Sequence, residues 1–220
     1  MVDRGDGVGA IVFDLGGILI DWDPRYLYRK VFTNEVEMED FLKTVATSEW
    51  HIEQDRGRKI EDATALLLSW YPQHEREILS YYGRWDEMFY GPISGSVEVL
   101  REVRGTGLPL YALTNWSAEV FPLARRQYDF LKWFDDIIVS GEERAIKPDR
   151  EIYDVLIERT SLNPATTVFI DDSRPNVLAA EDLGFIAIEF QNSDKLREEL
   201  VRLEVLPALP ASSKGPMSDA

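Results

Sequence analysis

The chain has 220 residues, 45% of them hydrophobic and 29% charged, with a formal net charge of -16 at pH 7. That charge disfavours nucleic acid and anionic membrane surfaces, because their phosphates demand a basic face. Zero cysteines exclude disulfides, thiolate metal sites and a cysteine nucleophile, and with His51 and His74 as the only histidines zinc is a poor fit.

The length allows one large domain, or one domain carrying a smaller insertion. No run approaches the roughly 18 uninterrupted apolar residues of a membrane span. The start, Met1 to Gly7, is polar and glycine-rich with no apolar stretch before a cleavage site. No export signal is therefore expected, and a cytoplasmic protein is the simplest expectation. Gly5, Gly7 and Gly9 precede the first apolar run instead of following it, which is the wrong place for a dinucleotide loop.

In chain order, short apolar runs at Ala10 to Phe13, Pro109 to Leu113, Asp136 to Val139, Val168 to Ile170 and Phe185 to Phe190 read as buried strands. Their near-continuous hydrophobicity suits a parallel sheet covered on both faces. Between the first two runs lies an insertion of about 75 to 90 residues, far longer than one crossover helix requires. Three apolar stripes there predict helices: Val36, Phe41, Leu42 and Val45 after Asn34; Ala63, Leu66, Leu67 and Trp70; and Ile78 through Phe89. Further on, Ser117 is expected to cap a helix bearing Val120, Leu123 and Ala124. Pro148 is expected to start one bearing Ile152, Val155 and Leu156, and Asn192 or Ser193 to cap the last, with Leu196, Leu200 and Leu203 facing inward. The order predicts an α/β fold, a doubly wound parallel sheet (residues 1–17 and 92–206) with a small inserted helical cap (18–91) and a disordered tail (207–220).

Four runs or loops end in chemistry-bearing residues: Asp14, Thr114-Asn115, Lys147-Pro148 and Asp171-Asp172. Ligands of an open parallel sheet bind at the carboxyl ends of its strands, so these groups are expected to converge on one edge. Each has a plainer reading. An aspartate after a strand is most often a turn residue or helix cap, Lys147 alone passes for a solvated charge, and Asn115-Trp116-Ser117 matches a glycosylation sequon.

Together, Asp14-Leu15-Gly16-Gly17, Thr114-Asn115, Lys147-Pro148 and Asp171-Asp172-Ser173-Arg174-Pro175-Asn176 resemble the four motifs of the haloacid dehalogenase superfamily. The resemblance spans about residues 10 to 190, with the insertion where that superfamily places its first cap. Within that superfamily the chain resembles bacterial sugar-phosphate phosphatases related to α-D-glucose-1-phosphate phosphatase, which also carry glycine two residues after the nucleophile. The resemblance implies a Rossmann-like core and a Mg²⁺-dependent phosphomonoester hydrolase acting on a small phosphorylated metabolite, such as a sugar phosphate. Asp14 is then the nucleophile, forming an aspartyl phosphate. Thr114 donates to the phosphoryl group and Lys147 offsets its charge. Backbone N–H groups of Leu15, Gly16 and Gly17 cradle the phosphate, with Asn115 and Trp116 lining the site. Asp14, the Gly16 carbonyl, Asp171 and Asp172 bind Mg²⁺, and Asn176 steadies one of those carboxylates.

Gly16 departs from the commoner pattern, in which a second aspartate serves as general acid and base. A good leaving group, a relaying water, or Asp21, Asp23 or His51 could compensate. Two alternatives follow: a 2-haloacid dehalogenase, which wants a cap arginine such as Arg25 or Arg56, and a non-catalytic phospholigand-binding protein. Arg25, Trp50, His51, Arg56 and Arg58 are the cap residues that either face the cleft or serve only packing and solvation.

Overall fold

The computed structural model describes residues 7–208; the start of the N-terminal stretch and most of the expected tail, residues 1–6 and 209–220, lie outside the described residues. In chain order the strands are β1 (Ala10–Phe13), β2 (Ile20–Trp22), β3 (Phe89–Pro92), β4 (Leu110–Thr114), β5 (Asp136–Val139), β6 (Thr167–Asp171) and β7 (Ile186–Glu189). Five of them form a parallel sheet in the order β5-β4-β1-β6-β7. From β1 the chain winds outward to β4 and β5, then crosses back to β6 and β7. The order therefore reverses at β1, and the crevice of a doubly wound sheet opens at the carboxyl ends of β1, β4 and β6.

Successive side chains of a strand point to opposite faces, and the core divides accordingly. Ile11, Phe13, Ala112, Ile137, Val139, Val168 and Ile170 face one layer; Val12, Leu113, Ile138 and Phe169 face the other. The helices are α1 (Pro24–Val31), α2 (Glu35–Thr44), α3 (Ser48–Asp55), α4 (Ile60–Trp70), α5 (Glu75–Gly83), α6 (Ser94–Arg104), α7 (Phe121–Gln127), α8 (Ser140–Glu143), α9 (Arg150–Thr160), α10 (Arg174–Asp182) and α11 (Ser193–Arg202). Val99, Leu100 and Val103 of α6 and Leu196 and Leu200 of α11 cover the first face. Ile152, Tyr153 and Leu156 of α9 with Ala180 of α10 cover the second. No helix among the described residues is long and apolar enough to cross a membrane.

The insertion holds five helices, α1 to α5, where periodicity predicts three. Its two ends pair as an antiparallel ribbon of β2 and β3, with a register shift at Asp21/Trp22. The eight residues of α1 and of α3 leave too few turns for a stripe to show. Capping nevertheless marks them, since Asp23 accepts from the Arg25 N–H and Thr47 from the Trp50 N–H. The expected caps Asn34 and Asn192 likewise accept from Val36 and Lys195 N–H groups. Three expectations need correction. Ser117 caps no helix; its carbonyl accepts from Val120 and Phe121 in a turn, and α7 begins at Phe121. Pro148 precedes α9, whose first residue is Arg150. The stripe after His74 breaks at Gly83 into a short 3₁₀ turn and β3, while Val36 and Trp70 are 77% and 60% exposed despite their place in apolar stripes.

Candidate active site

Asp14 directly follows β1, Thr114 ends β4 and Asp171 ends β6, so parallel register alone brings them to one edge. Lys147 reaches them from the loop between α8 and α9. Its Nζ lies 2.9 Å from Asp14 Oδ1 and 2.7 Å from Asp171 Oδ2, and the residue is only 2% exposed. Asn115 fixes that loop through both ends of its amide: Nδ2 donates to the Lys147 carbonyl at 2.9 Å and Oδ1 accepts from the Lys147 N–H at 2.8 Å. Asn176 Nδ2 and the Ser173 N–H donate to Asp171 Oδ1 at 3.0 and 2.9 Å. Tyr153 OH donates to the Asn176 carbonyl at 2.9 Å, tying that network to α9. Thr114 is buried beside them.

The loop after β1 turns back on itself, with the Gly17 N–H donating to the Ile20 carbonyl and the Leu19 and Ile20 N–H groups to the Leu15 carbonyl. Gly17 adopts φ +72, and a Cβ there would collide with the Asp172 carboxylate. Glycine meets both constraints without strain. The Leu15 N–H donates to Asp14 Oδ1 at 2.7 Å and so orients the carboxylate.

Burial pushes the Asp14 carboxyl up to about 7, and neighbouring Asp171 adds to this while Lys147 pulls it down. Burial by itself lowers the Lys147 ammonium, but Asp14 and Asp171 outweigh it and hold the group above its usual value. Burial, then Asp171, raises Asp172. Asp14, Asp171 and Asp172 each offer one carboxylate oxygen, all within 4.8 Å of one another. A single ammonium does not neutralise three crowded carboxylates. A donor set of hard oxygens with no histidine or thiolate suits Mg²⁺ or Ca²⁺ and not zinc.

The cap forms the opposite wall. Trp22, His51, Asp55 and Trp85 join Gly16, Asn115 and Trp116 around a chamber of about 160 Å³. Trp22, His51, Asp55 and Asn115 also line a cleft of about 800 Å³ that extends between α1, α2 and α3. Trp116 stacks on Phe89 with centroids 5.8 Å apart, so it both packs and lines. The indole N–H groups of Trp22, Trp85 and Trp116 are buried without an acceptor among the described residues. Of the other cap candidates, Arg25 lines the cleft but is clamped by both oxygens of Glu39 at 2.6 and 2.8 Å. Arg56 binds Asp149 at 2.7 Å, and Arg58 binds Gln54 Oε1 and the Trp50 carbonyl. Trp50 packs inside the cap, its Nε1 donating to the Ala63 carbonyl. Asp21 is occupied by Tyr26 OH at 3.1 Å from each oxygen, and Asp23 by the α1 cap and Arg25.

Trp22, Trp85 and Asp55 are lining residues that sequence reasoning missed, and of these the charged one is Asp55. It closes α3, a helix without a visible stripe, and its carbonyl accepts from Ser140 Oγ at 2.6 Å. That hydroxyl in turn accepts from the Trp116 N–H at 2.9 Å, so the end of α3 is tied to the loop after Thr114. Burial raises the Asp55 carboxyl to about 7, with the Ser117 backbone N–H opposing and Asp14 adding. Burial lowers the His51 imidazole to about 4.

A reversing parallel sheet with this carboxylate and lysine cluster at its edge, beneath a helical insertion, defines a haloacid dehalogenase-like hydrolase. Residues 8–184 match that family's model, and the chain belongs to the family and is an enzyme. It is 30% identical over 185 residues to the sesquiterpene phosphatase astK of Aspergillus oryzae, spanning 84% of this chain and 90% of that protein. It is 24% identical over 179 residues to the phosphorylated carbohydrates phosphatase of Thermotoga maritima, spanning 80% of this chain and 81% of that one. The fold superimposes with a TM-score of 0.67 on a haloacid dehalogenase family enzyme from Bacteroides thetaiotaomicron in its magnesium complex, at 19% identity, covering 90% of this chain and 100% of that one.

Proposed function

We propose that this hydrolase cleaves phosphomonoesters of small metabolites with Mg²⁺, through an aspartyl phosphate on Asp14. The observation that carries the reading is the Asp14, Asp171 and Asp172 cluster gathered around Lys147 at the sheet's switch point. Asp14, the Gly16 carbonyl, Asp171 and Asp172 would hold the metal, with Asn176 steadying Asp171. Bound there, Mg²⁺ would neutralise the phosphoryl oxygens as a Lewis acid. Thr114 would donate its hydroxyl to the phosphoryl group, Lys147 would balance developing charge, and the Gly16 N–H would cradle its oxygens, the Leu15 and Gly17 N–H groups being held by Asp14 Oδ1 and the Ile20 carbonyl. Asn115 acts mainly through Lys147, whose backbone it holds at both ends. Trp116 would flank the ester's organic part.

The chamber and the 800 Å³ cleft beyond it support an ester with a sizeable organic group. A sugar phosphate is one such substrate, and the phosphatase named for phosphorylated carbohydrates supports it. The three tryptophans of the chamber, and the relative named for sesquiterpenes, favour a second reading, an apolar phosphate ester. The dehalogenase alternative wants an arginine available for the substrate carboxylate, whereas Arg25 and Arg56 are both engaged by carboxylates.

The test is p-nitrophenyl phosphate hydrolysis with Mg²⁺, with EDTA, and by Asp14→Asn. Turnover is expected in the first case alone, and little or none there overturns the reading. A panel of phosphosugars and prenyl monophosphates then separates the two substrate classes.

A further inference from the structure

The proposed reaction needs a proton donor for the departing alkoxide, and position 16 supplies no side chain. The space there is open, since a Cβ on Gly16 would meet no heavy atom within 4 Å. Gly16 and Asp55 line the same chamber, and Asp55 is the one carboxylate among its lining residues. We propose that Asp55, steadied by His51, enters the site from the cap and serves as the general acid and base that position 16 lacks. The proposal rests on the phosphatase reading above.

Three observations support it. Asp55 is 6% exposed and belongs to a helix end bolted to the core through Ser140, so its place relative to Thr114 and Asn115 is set by hydrogen bonds and not by a mobile loop. His51 Nε2 lies 3.5 Å from Asp55 Oδ2, and Tyr82 OH lies 3.3 Å from His51 Nδ1. With Tyr82 donating, Nε2 carries the ring proton and faces Oδ2, which leaves Oδ1 to carry the catalytic proton. The sequence-level candidates are otherwise engaged: Asp21 by Tyr26 and Asp23 by Arg25, and neither lines the chamber.

The chemistry balances in two halves. As the Asp14 carboxylate forms its bond to phosphorus and the ester P–O bond breaks, the Asp55 proton passes to the ester oxygen, giving alcohol and aspartyl phosphate. Asp55, now a carboxylate, then takes a proton from water as that oxygen attacks phosphorus. The bond to Asp14 breaks, releasing orthophosphate and restoring the Asp14 carboxylate and the protonated Asp55.

The experiment compares wild type, Asp55→Asn and the double variant Gly16→Asp/Asp55→Asn on aryl phosphates, from phenyl phosphate to 2,4-dinitrophenyl phosphate, with Mg²⁺. Asparagine is isosteric with the protonated acid, and thermal unfolding checks that each variant folds. For Asp55→Asn, kcat/KM on phenyl phosphate is expected to fall roughly 10²- to 10⁴-fold. On 2,4-dinitrophenyl phosphate, whose phenolate leaves unprotonated, it should fall less than about tenfold, with a burst of one phenolate per site as aspartyl phosphate accumulates. The added Gly16→Asp should restore much of the phenyl phosphate activity. An equal loss along the series, or no loss, overturns the assignment while leaving the phosphatase reading intact. A wild type inert on every ester removes both.

Discussion

Lys147 is held between two carboxylates at 2.9 and 2.7 Å in a place almost closed to water, and the Asn176 amide and the Ser173 N–H orient one of them, Asp171. Breaking a buried ion pair by removing one partner costs about 3 to 5 kcal/mol, so the cluster is stable only as a unit. His51 gives this site a separate pH signature. Its usual value of 6.5 falls to about 4 through burial, so between those values the unfolded chain binds a proton that the folded one refuses. The associated stability is fully present above pH 6.5 and is lost as pH falls toward 4, on the order of 3 kcal/mol in all. Urea unfolding of wild type and His51→Gln at pH 7 and pH 4.5 checks this. The variant is expected to gain on wild type as the pH drops.

The loop between β1 and β2 shows how one element divides its duties between adjacent glycines. Gly17 stands at φ +72 against the Asp172 carboxylate, whereas Gly16 has open space where a side chain would project. Gly17→Ala is therefore expected to cost roughly 1 to 2 kcal/mol for the left-handed backbone and to weaken metal binding by displacing Asp172. Gly16→Ala should stay within about 0.5 kcal/mol of wild type. Denaturant unfolding with and without Mg²⁺ distinguishes the two. At this level the five core strands were legible, because strands buried on both faces read as unbroken apolar runs. β2 and β3, of three and four residues, were not, since strands so short carry no measurable period. α3 was hidden for a related reason: SEWHIEQD places its buried groups, Trp50, Gln54 and Asp55, without an apolar stripe.

Cap and core meet through specific polar contacts: Arg56 to Asp149 at 2.7 Å, the Ile60 N–H to Glu119 at 2.8 Å, and Ser140 Oγ to the Asp55 carbonyl at 2.6 Å. A metal at the Asp14, Asp171 and Asp172 cluster would join β1 to the end of β6 and should stabilise the whole chain. At 100 times its Kd, bound ligand adds about 2.7 kcal/mol, a Tm rise of roughly 5 to 10 °C for a chain of this size. Differential scanning calorimetry with Mg²⁺ and with EDTA should show that shift, and Asp172→Asn should abolish most of it. On the proposed reading the net charge of -16 would not oppose an anionic substrate here, because Lys147 and a bound metal would act at contact distance while the remaining charge is screened. The carboxylates, the lysine and their common edge could be read directly from the chain, since strand direction and order dictate where the last residue of each apolar run must stand. Asp55 could not. Its position beside Gly16 depends on how a separate group of helices packs against the sheet, and no pattern within eight residues of α3 encodes that docking.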